Sequence, residues 1–196
     1  MKKSLIIIIA VVGFILILVM WGSSRYNSLV TKEEGVTAAW SQVENVYQRR
    51  ADLIPNLVNT VKGYADFEKS TLTGVIEARS KATSVTIDPT NLNEASIQQF
   101  QKAQDGLSSA LSRLMVVVER YPDLKANQNF MDLQAQLEGT ENRIATERRN
   151  FNQAAQDYNT QIRRFPSNLF AGIFGFDKKA YFQADEGAEK APEVKF

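Results

Sequence analysis

The sequence predicts an all-α protein, an N-terminal transmembrane helix followed by a bundle of four long helices. Three observations lead there. Leu5 to Trp21 read LIIIIAVVGFILILVMW, seventeen residues without a charge. Beyond them, apolar residues recur in alternating steps of four and three, the spacing that lines one face of a helix. No stretch of the body alternates with period two, as a half-buried strand would.

The apolar run is long enough to span a bilayer, which takes about 17–25 residues at about 1.5 Å rise each. Thirteen of its residues are Leu, Ile, Val or Phe, each favouring insertion by about 0.3–0.6 kcal/mol at the bilayer centre. Together they contribute about 4–8 kcal/mol, an upper bound because terminal positions count for less. Trp21 closes the run where an interfacial aromatic belongs. A cleaved signal peptide is the competing reading, with Gly22-Ser23-Ser24 as its small residues. Signal cores are shorter, about 7–15 residues, and no A-x-A site follows. Residues 5–22 are therefore read as a retained anchor behind a short basic head at 1–4. Lys2 and Lys3 precede the span while Arg25 and Lys32 follow it, so the Lys/Arg bias is slight. A short charged head before a long apolar segment resembles an export signal. The body is expected on the exported side, with the cytoplasmic side left open.

The bundle is read over residues 23–166. Its first stripe runs Val36, Trp40, Val43, Tyr47, Ile54, Leu57, Val61 and Tyr64, interrupted by Arg50, and Leu72, Val75, Ile76, Ala78 and Ala82 extend it. Ile87-Asp88-Pro89 ends it, because the residue before Pro avoids the α region. Asn91 with Glu94 forms a capping box for the next helix. The second stripe is Ile97, Phe100, Gln104, Leu107, Leu111, Leu114, Val118 and Tyr121, closed by Pro122. The third runs Phe130, Leu133, Leu137, Ile144, Phe151, Tyr158 and Phe165, with Thr140, Glu147 and Gln161 as polar members, and stops at Pro166.

Pro55 poses a topological choice, since proline costs about 3 kcal/mol inside a helix but little in its first turn. With Asp52 as N-cap, Pro55 falls in the first turn of a new helix. The body then divides into segments of about 25–37 residues, each about 40–55 Å long. Continuity of the stripe argues instead for one kinked helix over 25–85. Matched lengths favour the turn, and a turn at Pro55 is the expectation.

After Pro166 the character changes. Five of the eleven Phe residues, at 165, 170, 174, 176 and 182, fall within eighteen positions. Segment 167–182 is read as folding back over the end of the bundle, with an aromatic patch on a membrane or partner (Phe170, Phe174, Phe176) as the alternative. Residues 183–196 read as a disordered tail.

Composition excludes more than it assigns. The 196 residues carry 23 basic and 22 acidic side chains, giving no electrostatic footprint for nucleic acid. Zero Cys and zero His remove disulfides, thiolate catalysis, Ser-His-Asp triads and two-His zinc motifs. No cofactor is expected.

Several blocks resemble one family. Tyr26-Asn27-x-Leu29-Val30, Ala39-Trp40-x-Gln42-Val43 and above all Gln48-Arg49-Arg50-Ala51-Asp52-Leu53-Ile54-Pro55-Asn56-Leu57-Val58 are similar to the LemA family. So are Val61-Lys62-Gly63-Tyr64-Ala65, Ala78-Arg79, Tyr121-Pro122-Asp123-Leu124-Lys125-Ala126-Asn127 and Thr140-Glu141-Asn142-Arg143-Ile144-Ala145. Phe165-Pro166, Phe174-Gly175-Phe176 and the closing Pro192-x-Val194-x-Phe196 resemble its C-terminal signature. Phe67 stands where His is expected, and Phe151-Asn152 where Tyr-Asn is common. The resemblance implies a single-pass protein of the bacterial inner membrane with an antiparallel four-helix body, and strengthens the turn at Pro55. It carries over no catalytic residue. Family descriptions place the short N-terminus outside the cell, opposite to the orientation expected from Lys2 and Lys3.

Paired arginines are the most suggestive chemistry: Arg49-Arg50, Arg148-Arg149 and Arg163-Arg164. Neighbours on a helix point about 100° apart, so one of each pair can face inward. Arg50 holds a stripe position, and a buried guanidinium must be paired or it costs several kcal/mol. Glu141 and Glu147 on the third stripe are the expected partners, with anionic lipid or a protein partner as the alternative. Glu33-Glu34 and other carboxylates form no D-x-D-x-D-G loop and are read as a solvated face. Two functional classes follow. One is a non-enzymatic scaffold or adaptor held in lipid by its N-terminal helix, docking an unidentified protein or a second copy. The other is a small-ligand or lipid sensor with a pocket between helices.

Overall fold

One helix, α1 (Lys3–Lys62), carries both the apolar run and the first amphipathic stripe without a break. The computed structural model describes residues 3–64 and 68–183. Five further helices follow α1: α2 (Lys69–Ser84), α3 (Glu94–Val118), α4 (Pro122–Lys125), α5 (Gln128–Arg163) and α6 (Ser167–Phe174). No strand occurs among the described residues. Position 67, and the tail from 184, lie outside them.

At about 1.5 Å per residue α1 is about 90 Å long, far more than a bilayer needs. Its most apolar stretch has a mean hydropathy of 3.1, and none of that window is buried against the protein. It is therefore not the core helix of a soluble fold. The remainder of α1 projects about 60 Å beyond Trp21.

The turn expected at Pro55 is absent, and Asp52 caps nothing. Proline cannot donate to the carbonyl four residues back, which is that of Ala51. Arg79 Nε, reaching across from α2, donates to that carbonyl at 2.7 Å, so the freed acceptor is satisfied and the helix continues. Asp52 lies exposed on α1, accepting from Gln48 one turn earlier at 2.7 Å. The chain leaves α1 only after Lys62, which makes α2 a short helix of 16 residues and breaks the expected equality of lengths.

Two ion pairs fix the direction of α5. Lys32 meets Asp157 at 3.7 Å and Arg50 meets Glu141 at 2.9 Å. Numbers rise along one helix as they fall along the other, so α5 runs antiparallel to α1. The α2 and α3 helices pair with each other, and α6 packs on both α1 and α5. The cap of α3 is Asn93, whose side chain accepts from Ser96 N at 2.9 Å, rather than Asn91. An Asx turn at Asp88, with Thr90 N donating at 2.9 Å, uses up the intervening residues and delays the helix. Asn127 caps α5 through Phe130 N at 3.1 Å.

The apolar interior forms two clusters. The membrane-proximal one gathers Leu29, Val36, Trp40, Val43 and Tyr47 with Phe100, Phe151, Tyr158 and Phe182. The distal one gathers Ile54, Leu57 and Val61 with Leu72, Val75, Leu107, Leu114, Phe130 and Leu137. Every long helix contributes to the distal cluster.

Candidate functional site

Between the clusters lies a polar layer. On α1 it falls between Tyr47 and Ile54, on α3 between Phe100 and Leu107, and on α5 between Leu137 and Ile144. Each position follows from a polar residue at a stripe site: Arg50, Gln104 and Thr140, all buried. Arg50 is 1% exposed. Its Nη1 donates to Ser108 Oγ at 2.8 Å and Glu141 Oε1 at 2.9 Å. Its Nη2 donates to Gln104 Oε1 at 2.6 Å and the Gln104 carbonyl at 3.2 Å. Gln104 Nε2 passes the chain on to the Ala82 carbonyl of α2 at 3.1 Å, so α1, α2, α3 and α5 are linked through one guanidinium and its glutamine. The guanidinium also lies 5.0 Å from the Tyr47 ring centroid. Burial holds the Tyr47 hydroxyl above its ordinary value, with the charges of Arg148 and Arg50 pulling the other way.

The layer includes Glu141 and leaves out Glu147, which accepts from Asn150 Nδ2 at 2.9 Å. Arg49, the neighbour of Arg50, is exposed. The Glu141 side chain is 45% exposed, so the carboxylate keeps part of its hydration while the guanidinium has lost its own. Arg50 Nε finds no acceptor, one donor of five left unsatisfied. A groove of 790 Å³ opens over Arg50 and Glu141, walled by Lys102, Asp105 and Arg148.

A second feature is the C-terminal strap after α6, which the helical stripes do not reveal. Asn159 binds the backbone of Lys179 with both ends of its amide, accepting from N at 2.9 Å and donating to O at 2.8 Å. Asn152 does the same for Phe182, at 2.9 Å and 3.0 Å. The two asparagines are seven residues apart on α5 and so share a face. Ala180 N adds a bond to the Leu92 carbonyl at 2.9 Å. Held this way, Phe182 stacks on Trp40 with centroids 5.9 Å apart. Lys179 is buried and pairs with Glu33 at 2.7 Å. Gln183 also belongs to the strap, its carbonyl accepting from Arg148 at 2.8 Å. Asparagines at stripe spacing opposite an aromatic-rich segment were the signal available for this contact.

The third feature is where α6 meets α1. Phe170 lies edge-on to Trp21 with centroids 5.7 Å apart, and Phe174 and Phe176 meet Tyr26 at 4.9 Å and 5.7 Å. Phe170 also lies over Gly22, where a Cβ would be in ordinary contact with its ring at 3.4 Å. Gly175, at φ 73°, turns the chain out of α6, and Phe176 N closes the turn on the Ala171 carbonyl at 3.0 Å. Among the described residues, no group of three or more His, Cys, Asp or Glu side chains is placed to hold a metal ion.

Known proteins are similar to this chain. The model of the LemA family matches residues 39–196. Magnetosome protein MamQ 2 of Paramagnetospirillum magneticum is 32% identical, aligned over 90% of this chain and 70% of its own length. Magnetosome protein MamQ of Magnetospirillum gryphiswaldense is 31% identical over 89% and 69%. Protein LemA of Metamycoplasma hominis is 28% identical over 83% and 70%. The span matched by the family model covers most of the chain, including Arg50, Asn152, Asn159 and the aromatics of α6, and this chain belongs to the LemA family.

Proposed function

We propose that this protein is a membrane-anchored, non-enzymatic scaffold that docks a protein partner, or a second copy of itself, on its helical body. The observation that carries the reading is the continuity of α1. The helix that enters the bilayer also supplies one wall of both apolar clusters, so the body's orientation is tied to the membrane without a hinge. The long stalk presents faces up to about 60 Å from the span. Tethering confines copies near one surface, raising their effective concentration so that weak contacts suffice. With no His or Cys in the chain, only carboxylates, amines and hydroxyls are left for chemistry, which supports docking over turnover. Relatives that are by name magnetosome proteins are compatible with such a role. The protein crosses the inner membrane once, with its body on the exported side.

Crosslinking in intact membranes followed by mass spectrometry tests this. Crosslinks between body residues of two copies, or to one recurrent partner, support it. A chain that crosslinks to nothing and binds a small molecule stoichiometrically replaces the scaffold with the sensor reading.

A further inference from the structure

The outer face of α6 is apolar and bare. Leu169 and Ile173, one turn apart on α6, are 56% and 75% exposed, and Phe165, in the turn before the helix, is 81% exposed, while Phe170 and an edge of the half-exposed Phe174 meet Trp21 and Tyr26. What covers the outer face follows from its height along α1. Phe170 contacts Trp21 and Gly22, the residues at which the apolar run ends. The Lys32–Asp157 pair sets the register of α1 against α5. Six residues back along α1 and six forward along α5, Arg163 comes level with Tyr26. Arg164 is next to it, and Arg25 stacks on Trp21, its guanidinium 5.7 Å from the ring centroid. Three arginines therefore ring the same level as the apolar face of α6. Apolar side chains beside cations, at the end of a spanning helix, are the composition of a segment seated at the headgroup boundary.

We infer that α6 is an interfacial element: Phe165, Leu169 and Ile173 enter the acyl boundary while Arg25, Arg163 and Arg164 engage anionic headgroups. This rests on the anchor reading of Leu5–Trp21 and extends it. The protein then holds the bilayer at two points, the span and the α6 face, and the second resists tilting and rotation of the body. The aromatic contacts between α6 and α1 transmit that constraint to the stalk.

The chain has no cysteine of its own, so single nitroxides can be placed cleanly. Full-length Leu169→Cys, Ile173→Cys, Ile15→Cys and Val116→Cys variants are spin-labelled and reconstituted in vesicles of phosphatidylethanolamine and phosphatidylglycerol. Oxygen and a water-soluble nickel chelate serve as collision partners. Ile173 and Val116 are 75% and 71% exposed, so labelling at either leaves the fold intact. Labels at 169 and 173 are expected to favour oxygen over nickel, as at 15, and to report depths of about 5–10 Å within the headgroup boundary. Nickel access equal to that at 116 overturns the inference, as does protection from both reagents, which would mean that protein covers the face. Nickel access at 15 as well would overturn the anchor reading itself, which separates the two failures.

Discussion

Replacing Arg50 and Glu141 singly and together tests the polar layer. Arg50→Met keeps the length of the side chain and removes four hydrogen bonds, two of them to Gln104. Bonds from a charged donor are worth about 1.5–3 kcal/mol each net, and deleting a buried charge recovers several kcal/mol of desolvation. The balance is a loss of about 2–4 kcal/mol, dominated by the stranded Gln104 Oε1. Glu141→Gln keeps an acceptor but leaves the guanidinium without its carboxylate. Full isolation of a buried charge costs about 3–5 kcal/mol. Glu141 is 45% exposed and partly screened by water, so the expected loss is about 1–2 kcal/mol. The double variant should cost no more than Arg50→Met alone, because Glu141 then simply faces solvent. Urea unfolding of the detergent-solubilised chain, followed by far-UV circular dichroism, measures all three. Losses that add to within about 0.3–0.5 kcal/mol would refute the coupling.

Three further outcomes are expected. Trp40→Ala should cost about 3–5 kcal/mol, since the indole is wholly buried against Phe100, Phe151 and Phe182; a loss under about 1 kcal/mol in the same unfolding assay would contradict its place in the core. Arg79→Met should cost about 1–2 kcal/mol with Pro55 present and much less beside Pro55→Ala, whose restored N–H takes over the Ala51 carbonyl; equal losses in both backgrounds would contradict that account of the unbroken helix. Burial raises the Glu44 carboxyl above its ordinary value, with the Trp40 indole pulling partly back, so native protein holds a proton over a pH window where the unfolded chain has released it, and stability falls as pH rises through that window. Glu44→Gln should match the parent in acid and exceed its stability at neutral pH, and a difference that does not vary with pH would contradict this.

The helices were legible in the sequence because their buried faces repeat. Second-stripe positions from Ile97 to Val118, Gln104 included, are the buried face of α3. Arg50 stood out because it interrupts a stripe, and its pairing with an acid on α5 follows from the cost of burying charge. Pro55 was misjudged because its compensation comes from Arg79, on another helix, and no local rule weighs a donor supplied by tertiary contact. The sequence predicts that 167–182 folds back over the bundle, but the strap's particular contacts were not legible, because the segment has no period. Lys179 and Phe182 are held by the side-chain amides of Asn159 and Asn152, and the shared helix face of those asparagines does not by itself say which segment they bind. Asn91 and Asn93 are both good caps, and only the turn at Asp88 decides between them.

The claim beneath all of this is that the helix which builds the core also holds the body in the bilayer. Intact-mass analysis of the mature protein, isolated from native membranes, tests it most directly. The account predicts a chain that retains Leu5–Trp21, with Trp21 still against Phe170. A mature N-terminus near Ser23 or Ser24 would contradict it, leaving the aromatics of α6 without their partner and the body without its anchor.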